Sequence, residues 1–128
     1  MPHGAGIMLE GEQDCGFDDP SWEDVETMFG RLDGHHWWSL SIEGPGDERL
    51  LISGGRNRKY AVEWTLDWQV HYALVSPGES PNAAFDITGR YGDHPARLCV
   101  DAVTALAAAR AFYDDGVRLP DAPWERLS

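Results

Sequence analysis

Histidine and tryptophan crowd together in the stretch GHHWWSLSIEG, residues 34–44, where His35 and His36 adjoin Trp37 and Trp38. Imidazoles at that density could hold a metal ion or move a proton near neutral pH, and indoles could anchor a partner. The residues that follow alternate between apolar and polar, which is the period-2 signature of a strand. Extended back through the histidines, that strand puts His36, Trp38, Leu40 and Ile42 on a buried face. His35, Trp37, Ser39, Ser41 and Glu43 then share the outer face. The two imidazoles point apart in this reading, and no metal site is expected of them.

A catalyst would need further parts. His71 falls on the outer side of a later strand and His94 in a Gly/Asp/Pro loop, so His35, His71 and an acid form the enzymatic constellation open to the chain. The HExxH zinc motif, the GxxxxGKS/T phosphate loop, the GxGxxG dinucleotide turn, CxxC pairs and the GxSxG elbow are all missing. Carboxylates abound, but nothing in the sequence holds two at the separation that acid–base work requires. No catalytic residue, metal or other cofactor is assigned. Cys15 and Cys99 make no disulfide framework, and Cys99 in the run RLCV reads as a small core residue.

The charge is more telling. Of a formal net charge of −12, residues 1–48 carry −11, with 12 acids against the single base Arg31. Eight of those acids lie between Glu10 and Glu26 with no base among them. Such a surface repels nucleic acid and speeds encounter with basic partners. The candidate contact residues for a partner are therefore Asp18, Asp19, Glu23, Glu43, Asp47 and Glu48, with Trp37 as an outward aromatic anchor. Trp68 in a turn, Tyr91 in a loop and Trp124 in the tail are further candidate exposed aromatics. The basic cluster Arg56, Arg58 and Lys59 in GGRNRKY reads as a solvated hairpin loop.

The elements that must position these residues follow from capping and periodicity. DDPSWEDVETMFGRLDG predicts a helix over about residues 20–31, capped by Asp19 or Ser21, with Trp22, Val25, Met28, Phe29 and Leu32 as its buried stripe. GIMLEGE before it reads as a short edge strand. From residue 36 onward the period is 2, and five runs ending with AAFDITG suggest a meander in which Ala83, Phe85 and Ile87 face the core. An Ala-rich helix then runs from Asp101 to a C-capping Gly116. The predicted fold is α+β: an antiparallel meander sheet of about five strands with an N-terminal and a C-terminal helix packed on it. One domain, 1–128, is expected, with a disordered start at about 1–6 and an extended tail at 117–128. No run is long and apolar enough to cross a membrane, and a cytoplasmic location is expected. The oligomeric state is left open.

Two segments carry a resemblance: ERLLISGGRNRKYAVEW, with its strand, glycine pair and strand, and AAARAFYDDGVRLPDAPWE, with Phe112, Tyr113, Gly116 and Trp124. In these the chain resembles the small immunity proteins of bacterial polymorphic-toxin systems, in particular the family first described beside deaminase-type toxins. The resemblance spans about residues 22–125. It implies a non-enzymatic antidote that binds a cognate protein toxin, of deaminase or nuclease type, and occludes its active site, the acidic third acting as a phosphate mimic. Gly54, Gly55 and Trp124 would be structural matches. The alternatives are a protein-binding or regulatory module without a toxin partner, and a small hydrolase-like enzyme using His71.

Overall fold

The computed structural model describes residues 6–44, 46–80, 82–89 and 92–127. Tyr91 and residues 1–5, at which the sequence suggests an exposed aromatic and a disordered start, lie outside the described residues.

Both helices start where a side chain can satisfy the first free N–H groups. Ser21 caps α1 (Trp22–Arg31): its hydroxyl accepts from the Asp24 N–H, while the Asp24 carboxylate accepts from the Ser21 N–H, a complete capping box. Asp101 caps α2 (Ala102–Asp115), its carboxylate accepting from the Thr104 N–H. That bond, together with one from the Thr104 side chain, holds the Asp101 carboxyl below its usual range. Gly116 ends α2 with φ 68°, the left-handed cap that the sequence predicts. The alanines let α2 approach closely, burying Ala105, Ala108, Ala109, Phe112 and Tyr113.

Seven antiparallel strands form the main sheet in the order β2-β1-β3-β4-β5-β6-β9. Their ranges are β1 (Gly6–Gly11), β2 (Cys15–Asp18), β3 (Trp37–Glu43), β4 (Glu48–Gly54), β5 (Tyr60–Leu66), β6 (Val70–Leu74) and β9 (Trp124–Arg126). The α+β class stands, with more strands than the five expected. GIMLEGE is not an edge: β1 lies between β2 and β3, because the chain folds back at once to add β2. AAFDITG does not join the meander either. Only Ala84–Phe85 (β7) is extended, and it pairs with His94–Pro95 (β8) in a separate small hairpin, while Ile87 is fully buried beside Gly54.

Leu9, Leu40, Ile52 and Val62 stand side by side across four strands, all buried, with Ile7, Ile42 and Leu50 in the next row. Each contributes roughly 1.5–3 kcal/mol by leaving water. Val25, Met28 and Phe29 of α1 and the buried face of α2 complete this core. Gly55, at φ 105°, is held so close to Leu32 that an added Cβ would stand 2.3 Å from its carbonyl oxygen, so the glycine pair serves packing. Trp124 docks on the core and donates its indole N–H to the Leu119 carbonyl. Among the described residues no helix is long and apolar enough to cross a membrane.

Candidate partner-binding surface

Strand pairing sorts the sheet into a face covered by the helices and a face turned away from them. On the second face, one row runs Asp18, Gly6, Glu43, Arg49, Thr65, His71 from β2 to β6. The next runs Met8, Ser41, Leu51, Glu63, Ala73. Toward β6 this face is partly roofed by β8 and the turn after it, leaving a cavity of about 230 Å³ among Leu51, Ala61, Glu63, Ala73, His94 and Leu98. Toward β1 Met8 is exposed.

The first row ends in acids. Gly6 separates Asp18 from Glu43 so narrowly that a Cβ there would sit 3.4 Å from the Asp18 carboxylate and 3.7 Å from that of Glu43. Glu43 accepts from Arg49 at 3.0 Å, and the Arg49 guanidinium lies 5.2 Å over the ring of Trp68. Trp68 caps the β5–β6 hairpin with 55% of its surface exposed. The Asp67 N–H beside it donates to the Asp47 carbonyl, which ties this turn to the β3–β4 turn. One end of the sheet thus presents Glu43, Asp47 and Asp67 near an exposed indole, with Asp18 farther along the same row on β2.

The remaining predicted contacts divide. Asp19 and Glu23 are exposed at the start of α1, close enough to Tyr113 that they help to raise its hydroxyl pKa, after burial and Asp114. Glu48 is half-buried opposite Leu66. Trp37 corrects the sequence reading. It lies at the far end of β3 from Glu43, about 20 Å away at 3.3 Å per residue, and it faces the helices. The cause is a β-bulge: Glu10 pairs with Ser39 but Gly11 with Trp37, so Trp38 is the extra residue and the alternation slips by one. Trp37 therefore packs on the core under Arg31 and donates its indole N–H to the Gln13 carbonyl.

The histidines also stand differently. The strand begins only at Trp37, so His35 and His36 lie in the preceding bend, both exposed, with ring centroids 4.4 Å apart. His36 is not inside, and the two do not face opposite ways. His71 is held from both sides, Nδ1 by Glu63 at 2.7 Å and Nε2 by the Trp68 carbonyl at 2.9 Å. Both partners only accept, so the imidazolium satisfies both, and the Glu63 bond first and the carbonyl second raise the His71 pKa. His35 stands three strand spacings from His71, at least about 14 Å, so the constellation of His35, His71 and an acid does not assemble.

A family model described as Immunity protein Imm1 matches residues 13–125, most of the chain. The chain belongs to the Imm1 immunity-protein family. Membership makes it an immunity protein directed against a toxin, with a protein toxin as its partner. No curated protein matches this Imm1 chain. The match begins within the β1–β2 connection and closes in β9, so it includes β2, both helices and the acidic sheet end. Trp68 is the surface residue that sequence reasoning left out of the contact set. The signal was there, an aromatic in a turn with no core partner, but alternation favoured Trp37.

Proposed function

We propose that this Imm1 protein neutralises its cognate toxin by direct binding, with the acidic sheet end covering the toxin's active site or the path to it. The observation that carries this reading is the grouping of Glu43, Asp47 and Asp67 near Trp68, with Asp18 continuing the acidic row beyond Glu43 on the same end of the sheet. Toxins that deaminate or cut nucleic acid need a basic groove for phosphate. Carboxylates fixed on strands occupy such a groove as phosphate mimics, and an exposed indole among them supplies the apolar anchor. Asp19, Glu23 and Glu48 extend the acidic field at the same end. The protein acts by occupancy without turnover, in the cytoplasm of the cell that makes the polymorphic toxin.

The test is expression of the toxin encoded in this gene's neighbourhood in a sensitive bacterium, alone and together with this protein. Growth is expected to return on co-expression. The purified pair is expected to form a stoichiometric complex in which the toxin no longer processes nucleic acid. A complex whose toxin keeps full activity rules out occlusion, and the absence of any complex rules out the antidote reading altogether.

A further inference from the structure

At the end of the sheet opposite the acidic surface, we propose a transition-metal site for Zn2+ or a similar borderline dication, formed by Glu12, His35 and His36. One donor atom from each of the three lies within 4.8 Å of the other two. Glu12 Oε2 is already 3.1 Å from His36 Nδ1. Two ligands each 2.0–2.1 Å from a tetrahedral ion stand about 3.3 Å apart, so this pair has the spacing a shared ion imposes. His35 has to swing by roughly 2 Å to complete it, a movement open to an exposed side chain.

The backbone carrying these ligands is clamped independently of any ion. The Asp33 carboxylate accepts from the N–H groups of His35 and His36 at 2.8 Å and of Trp37 at 3.1 Å. Across the gap the Glu12 N–H donates to the His36 carbonyl at 2.8 Å. Gly11 keeps the two backbones in contact, since a Cβ there would lie 2.2 Å from the same carbonyl oxygen. Asp33 thus fixes the backbone that carries the two histidines without being a ligand.

Ligand chemistry selects the ion. Two imidazoles with one carboxylate suit Zn2+, Ni2+ or Cu2+, whereas Mg2+ and Ca2+ require a shell of oxygens. Three protein ligands leave a fourth tetrahedral position for water or for a side chain of a bound partner. The ion would join the β1–β2 connection to the α1–β3 connection, so its binding stabilises the folded chain.

The experiment is titration of the full-length protein with ZnCl2, followed by calorimetry and by imidazole ¹⁵N NMR. One Zn2+ per chain is expected to shift the ring nitrogens of His35 and His36 while those of His71 and His94 stay in place. The wild-type spectrum alone decides this, whatever the variants do. Glu12→Gln and His36→Ala are expected to weaken binding at least tenfold, and Asp33→Ala, which keeps all three ligands and frees only their backbone, by less than either. Cys15→Ser should bind as the wild type does. Zn2+ that leaves the His35 and His36 rings unmoved overturns the site. So does undiminished affinity in the E12Q/H35A/H36A protein, or an equal response to MgCl2.

Discussion

Trp68 is an aromatic residue in a left-handed backbone, φ 58°, directly after Asp67 at 53°. Two successive residues of that kind open the three-residue turn between Leu66 and Val70, with a backbone twist usually given to Asn-Gly. Holding non-glycine residues there costs about 1–2 kcal/mol each. Arg49 over the ring and His71 on the carbonyl resist relaxation. The same left-handed pair recurs at Asn57–Arg58, so what sets Trp68 apart is the exposure of its indole. Trp68→Gly should therefore keep the melting temperature within a few degrees, because relief of strain offsets the lost cation–π contact of about 0.5–1 kcal/mol. Affinity for the cognate toxin should fall by about 2 kcal/mol or more, read by calorimetry. His71 adds a pH dependence. Its pKa is raised in the folded chain, so the Glu63–His71 pair contributes in full below the ordinary imidazole value of about 6.5 and is lost as pH rises through the raised value. Melting curves across that window should flatten in Glu63→Gln, and an unchanged slope would contradict the pairing.

Elements differ in how well their sequences announced them. Ser21, Asp101 and Gly116 mark helix ends by local chemistry, so α1 and α2 stood close to where capping placed them. β3, β4, β5 and β6 showed their alternation because each buries a row of side chains on one face. β2 and β9 did not: four residues containing Gly16, and three residues after a Pro-rich run, become strands only because a neighbouring strand offers its edge. The same dependence on a partner hid the bulge. Alternation read from β3 alone sends Trp37 outward, and only its register with Gly11 turns it to the helices. That slip put Trp37, a candidate anchor, on the wrong face and concealed the proximity of His35 and His36, while the acids of the proposed surface stood out in the sequence as charge. Gly11 is where the bulge can be tested. An added methyl group would meet the His36 carbonyl at 2.2 Å and the Trp37 ring at 2.6 Å. Gly11→Ala should destabilise the fold by roughly 1–3 kcal/mol through overpacking. Denaturant unfolding that leaves the midpoint unchanged would show the bulge to be more yielding than this geometry allows.

For the whole molecule, the acids of the first 48 residues divide in space, Glu12 and Asp33 standing with the histidines and a second group at the opposite end of the sheet. Asp18, Glu23 and Asp47 are exposed and separate in sequence, yet the register of β1, β3 and β4 and the start of α1 bring them to one end of the sheet. A field of that kind acts chiefly on encounter, raising the association rate for a basic partner while leaving dissociation to the packed contacts. Each Asp or Glu changed to Lys adds two positive charges, so Asp18→Lys, Glu23→Lys and Asp47→Lys together move the net charge from −12 to −6. Because all three side chains are exposed, the fold should tolerate the exchange. Association with the cognate toxin, followed by stopped flow at low salt, should slow by about tenfold or more. The gap should narrow as added salt brings the screening length below about 10 Å, near 0.1 M, and toward 3 Å at 1 M. The dissociation rate should change far less than the association rate. An association rate indifferent to both the reversals and the salt would remove the acidic end from the recognition step and leave Trp68 and the apolar part of the face to carry the interaction.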